Sequence, residues 1–145
     1  MDKRGKFNRQ GGQQSKEDEK LREVEKVIDE ATTLADVDLD LLIDYAESFV
    51  KIHLRPVKTH QIRRFFDAVK NIQRSGGFSQ REKAKLLMLR PQLVNASAKE
   101  RSLKQLAEIC TVMIKKVDSP GDFDNFANFF ESLVAFHKAY AFVKN

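Results

Sequence analysis

The residues with the most obvious chemical potential are Arg55 and His60, spaced as Arg-x4-His in "RPVKTH". A histidine so placed could serve as general acid and base at a phosphodiester, with the arginine steadying the phosphate. The spacing is short and common, and motifs of this kind match often by chance. Pro56 lies between the two, which places the pair on a loop. His53 and His60 as metal ligands have no neighbouring Cys or paired Asp to complete a zinc-type set. Cys110 sits at core spacing among Leu106, Met113 and Ile114, where a thiol acts as a small apolar side chain. No glycine-rich phosphate loop is present. Gly76–Gly77 reads as a helix stop, and neither a cofactor nor a metal is expected.

The cations are a different matter. Net charge is +5 over 145 residues, but it is strongly segregated along the chain. Residues 1–16 carry +4, residues 17–48 carry −9, residues 49–105 carry +11 and residues 106–145 carry −1. Fourteen bases against three acids in the third block point to a polyanionic partner, most often nucleic acid. Folding of the acidic block onto the basic one is the plainer alternative.

These side chains must be held by helices. Residues 1–16 lack periodicity and are read as a disordered basic arm, leaving residues 17–145 as a single helical domain. "SKED" at 15–18 has the form of a capping box and predicts a helix to about Leu34, with Leu21, Val24, Ile28 and Ala31 inward. Asp38 or Asp40 caps a second helix to about Leu54, ended by "LRPVK" because proline disfavours helical geometry at Arg55. Thr59 caps a third helix to Ser75. "SQRE" at 79–82 opens a short fourth, and Pro91 falls in the first turn of the next piece. A longer helix spans Glu100 to Val117, and the last begins after Asp122. No stretch alternates as a strand does, so the fold class is all-α, a compact bundle of five to seven helices.

On the third helix, Ile62, Phe65, Phe66, Val69 and Ile72 form the core arc. Arg63, Lys70 and Arg74 form a second arc, with Asp67 among them and Arg64 pointing elsewhere. One acid against three bases marks a binding ridge rather than an ordinary solvated face, where i,i+4 pairs of opposite charge are usual. The last helix is apolar on two flanks, which suits the centre of a bundle. His137 amid those flanks reads as a hydrogen-bonded core histidine. No apolar run is long enough for a membrane span. The lone cysteine fits a reducing, cytoplasmic setting.

Three stretches, "THQIRRFFDAVKNIQ" (59–73), "LRPQLVNASAKERSLKQL" (89–106) and "FANFFESLVAFHKAYAF" (126–142), resemble the small helical subunit of type III-A CRISPR effector (Csm) complexes. Thr59, Gln61, Ile62 and Arg63 match the family's helix start. Glu131, Leu133, Val134, Ala135 and Lys138 match its last-helix signature, while Ser132 and Phe136 depart from it. Ser97-Ala98-Lys99 stands where the family tends to read Ala-Gly-Arg, and the acidic N-terminal third has no counterpart.

The resemblance implies a non-catalytic protein that assembles in several copies beside backbone and large subunits, along the channel holding guide RNA and target RNA. Phosphate contacts of this kind position a strand without reading sequence. The residues expected to make them are Arg55, Lys58, Arg63, Lys70, Arg74, Arg90, Lys99 and Arg101. Arg63, Arg90 and Lys99 lie within matching stretches, and the others follow from charge and helix face. The small helical subunit of type III-B complexes is an alternative, as is a HEPN-like ribonuclease using Arg55 and His60. A helix-turn-helix DNA binder fits less well, because the fourth helix offers only Gln80 and Arg81 for bidentate reading of base edges.

Overall fold

The computed structural model describes residues 16–142, and all of its regular structure there is helical. The first helix, α1 (Asp2–Glu30), has its start outside the described residues. There too lie the capping box read at 15–18, in part, and the basic arm expected over residues 1–16, apart from Lys16. Five further α-helices follow: α2 (Leu39–Phe49), α3 (Thr59–Arg74), α4 (Gln80–Lys99), α5 (Lys104–Ile114) and α6 (Pro120–Tyr140). No helix among the described residues is long and apolar enough to cross a membrane.

α6 is the central element, as its two apolar flanks require. It packs on α2, on α3 and on the short 3-10 turn at Leu34–Asp36. Phe126, Phe129 and Phe130 are fully buried. Tyr45 of α2 stacks on Phe129 at 5.8 Å, and Phe66 of α3 stacks on Phe130 at 6.5 Å. Each buried aromatic of this size contributes about 1.5–3 kcal/mol by removal from water. His137 is buried too, its Nε2 2.7 Å from the carbonyl of Val57, so it is the hydrogen-bonded core histidine that its position implied. Cys110 is likewise fully enclosed, and burial pushes its thiol pKa up.

Several boundaries differ from those read in the sequence. α1 ends at Glu30 rather than near Leu34, where Lys116 donates to the carbonyls of Asp29 (2.9 Å) and Ala31 (2.6 Å). A cation on the last carbonyls of a helix is favourable on both hydrogen-bond and dipole grounds. Of the two aspartates offered as the cap of α2, Asp38 takes the role, accepting from the Asp40 N–H at 3.3 Å. The second helix continues to Leu54 through one π-helical turn (Val50–Leu54). Arg55 keeps helical dihedrals (φ −59°, ψ −36°), so Pro56 does not force the break one residue earlier. The residue preceding α3 is Lys58, not Thr59. The Gln61 side chain accepts from the Lys58 N–H at 3.0 Å and closes the first turn.

The two pieces expected around Pro91 are one 20-residue helix, α4, with Pro91 inside it. Pro91 is exposed. Buried Leu86, Leu89, Leu93 and Ala96 pin the helix on both sides of it, which offsets the backbone hydrogen bond that a proline cannot make. The helix expected from Glu100 is a 3-10 turn (Arg101–Leu103) followed by α5. α6 starts before Asp122, at Pro120, because Ser119 is the N-cap and Asp122 closes the capping box from the N3 position.

Candidate nucleic-acid interface

α3 and α4 form an antiparallel hairpin across the turn at Ser75–Ser79. Gly76 takes φ +84°, a value that favours glycine. The hairpin brings the N-terminal end of α3 beside the C-terminal end of α4. It therefore collects most of the cations of the +11 block on one structural unit.

The eight residues expected to meet phosphate fall into two groups. Lys58, Arg63, Arg74, Lys99 and Arg101 are exposed. Arg74 is steadied by a 3.2 Å hydrogen bond from its Nη1 to Asn71 Oδ1. The other three are engaged or partly covered. Lys70 is half-buried, lies over the Phe66 ring and pairs with Glu131 of α6 at 3.2 Å. Arg90 is half-buried, and its Nε is shut from solvent without a partner among the described residues. Arg55 is turned to the end of α6. Its Nε donates to the Tyr140 carbonyl at 3.0 Å, its guanidinium covers the Phe142 ring, and its own carbonyl accepts from the Phe142 N–H at 2.9 Å. Arg55 thus fastens the end of the central helix.

His60 lies on α3, on a different element from Arg55, so the two are not a pair presented by one helix. His53 packs against the Phe49 ring, and burial lowers its pKa. Among the described residues no three His, Cys, Asp or Glu side chains are placed to hold a metal.

Between α3 and α4 runs a groove that the sequence did not mark out. Three adjoining depressions of about 460, 390 and 230 Å³ follow one another along the helix pair. The first contains Asn71, Lys85, Met88 and Gln92; the second contains Arg64, Asn71, Gln92 and Asn95; the third contains His60, Arg64 and Lys99. From Lys85 to Lys99 the groove is about 21 Å long at 1.5 Å rise per residue. Arg64 is the notable addition. On an isolated helix it falls off the Arg63–Arg74 line, and only the presence of α4 gives it something to face. Helical spacing of Lys85, Gln92 and Lys99 on a single continuous α4 was the available signal. Reading α4 as two pieces around Pro91 concealed it.

The acids of the basic block hardly offset these cations. Glu82 is buried in the first turn of α4, where the hydroxyl and backbone N–H of Ser79 hold its pKa at about 2. Glu100 caps the following turn, accepting from the Ser102 N–H. Asp67 alone of the three stays exposed on α3. Lys83 is drawn away to Asp118. Among the described residues, the acidic α1 packs chiefly on α2, with lesser contacts to α5 and the π-helical turn, and not on this surface.

Fold and surface together define a small all-helical protein with a cationic, grooved hairpin on its outside. The family described as Csm2 Type III-A matches residues 36–142, most of the chain. The chain belongs to that family and is a small subunit of the type III-A CRISPR complex. The match begins after α1, so the acidic first helix lies outside the matched region. No curated protein and no solved structure matches the chain.

Proposed function

We infer that this subunit binds RNA through the α3–α4 hairpin, meeting the sugar-phosphate backbone without reading sequence and without catalysing a reaction. In the assembled complex its partners are the guide RNA and target RNA, the backbone and large subunits, and further copies of itself. The observation that carries this reading is the hairpin surface itself. Lys58, Arg63, Arg64, Arg74, Lys85, Lys99 and Arg101 are all exposed there. Two of the three acids in the same block are consumed by helix caps. Asp67 is the one exposed acid of that block, so the cations outnumber it and leave a net positive face for phosphates. Arg63, Arg64, Arg74 and Lys99 supply the contacts on this reading, with Lys70 able to join by leaving an exposed ion pair of modest strength. On this reading Arg55 serves chiefly to fasten the end of α6, and the half-buried Arg90 contributes less than the exposed cations.

The test is titration of labelled single-stranded RNA with the full chain across a salt series. Affinity falls steeply with salt, and the logarithmic slope shrinks by about one for each phosphate contact removed. Arg63→Glu with Arg74→Glu reduces RNA affinity at least tenfold while helicity and melting temperature stay near wild type. A flat salt dependence, or unchanged affinity in the double variant, would remove the hairpin from consideration.

A further inference from the structure

Cations account for phosphate binding, but the middle of the groove also holds uncharged amides, beside Arg64 and Asp67. Asn71, Gln92 and Asn95 line it, all exposed, between Lys85 toward one end and Lys99 at the other. Among the described residues Gln92 and Asn95 make no side-chain hydrogen bond, and Asn71 only accepts one, from Arg74. An amide carries both donors and an acceptor. A phosphate oxygen can use only the donors. A ribose 2′-hydroxyl is itself both donor and acceptor and can use both, and it is the group by which RNA differs from DNA at a given site.

We propose that the α3–α4 groove selects RNA over DNA, with Asn71, Gln92 and Asn95 hydrogen-bonding 2′-hydroxyls of a strand whose phosphates are held by the flanking cations. The inference rests on the RNA-binding reading above and assigns the sugar as the recognised group. Ala68, Ala84 and Met88 give the same stretch an apolar floor, and Met88 is 56 % exposed. A sugar edge seated on that floor meets amides from both helices. The three amides sit on exposed helix faces, where replacement by alanine improves helix propensity and removes no core contact.

The experiment compares labelled oligouridylate with oligodeoxyuridylate of equal length, and with 2′-O-methyl oligouridylate, on the full chain at several salt concentrations. Three neutral hydrogen bonds at the low end of their usual worth give a preference for RNA of about tenfold. The methylated strand, which has lost its donor, binds more nearly as the deoxy strand does. Asn71→Ala with Gln92→Ala and Asn95→Ala brings the ratio close to one, while the salt slope for RNA stays unchanged because no cation has been removed.

Equal binding of RNA and deoxy strands by wild type overturns the proposal and leaves the hairpin as a general polyanion surface. A triple variant that keeps its preference overturns it as well. So does one that changes its preference between oligoadenylate and oligouridylate at a constant RNA-to-DNA ratio, since the amides would then be reading bases. Failure of wild type to bind any strand overturns both this proposal and the reading it rests on.

Discussion

Asp122 shows how much one side chain organises here. It is 1 % exposed. Its carboxylate accepts from the N–H groups of Ala35 (2.7 Å), Asp118 (2.9 Å) and Ser119 (3.0 Å), joining the start of α6 to the turn after α1. Burial alone would raise its pKa, but the donors from Asp118, Ala35 and Ser119 outweigh that and hold it below the ordinary carboxylate value. Because the folded pKa is the lower one, the unfolded chain binds the proton more readily. The stabilisation is therefore complete above the unfolded value near pH 4 and is lost as pH falls through the folded one. Asp122→Ala is expected to cost about 2 kcal/mol at neutral pH, the cost of leaving buried N–H groups without an acceptor. Urea unfolding across pH should show the gap between wild type and Asp122→Asn narrowing only below about pH 4. A gap that narrows on the alkaline side would show that another group carries the effect. The signal is present in the sequence: "DSPGD" holds a Ser N-cap, a Pro at N1 and an Asp at N3, which sets the helix start at Pro120 rather than after Asp122.

At the scale of elements, α4 separates what local pattern gives from what it does not. The capping box at Ser79 and Glu82 is plain in the sequence, as are the core arc of α3 and the core spacing of Leu106, Cys110, Met113 and Ile114 on α5. Pro91 was not readable as an interior residue, because its effect depends on whether the surroundings hold the helix together across it. Here the buried leucines do so. The consequence reached the candidate site: a broken α4 has no common face for Lys85, Gln92 and Lys99, and Arg64 then has no partner element. Arg55 shows the same limit of local pattern. Its charge and position suggested phosphate contact, while its partners Tyr140 and Phe142 come from the far end of the chain. Pro91→Ala gives a direct check. Restoring the missing hydrogen bond in a helix interior is worth about 3 kcal/mol, offset by up to about 1 kcal/mol from the freer unfolded chain. A net stabilisation of about 2 kcal/mol in urea unfolding is expected, with the groove intact. Destabilisation would mean that the packing of α4 on α3 requires the proline's geometry.

For the whole molecule, the question posed by the segregated charge was whether the acidic block shields the basic one, and the arrangement of helices answers it. α1 buries Leu21, Val24 and Ile28 and packs chiefly on α2, while the principal neighbours of α3 are α4 and α6. Tyr45 of α2 donates to Glu25 of α1 at 2.7 Å, which further fixes where the helix lies. Removing α1 would strip the core, so its electrostatic role is better tested by charge than by deletion. Glu19, Glu23 and Glu30 are exposed on it. If they act on RNA only through the long-range field, their influence is screened over about 8–10 Å at ordinary ionic strength. Glu19→Gln with Glu23→Gln and Glu30→Gln is then expected to raise RNA affinity less than about twofold at physiological salt, and more at low salt, where screening weakens. Direct cover of the hairpin by the acidic helix would give a different signature: a gain of tenfold or more that persists at physiological salt, because a contact pair is screened far less than a distant one. The two outcomes are separated by the salt series already needed for the wild type. The packing of the described part of α1 supports the first, since it lies against α2 and leaves the exposed hairpin cations facing solvent.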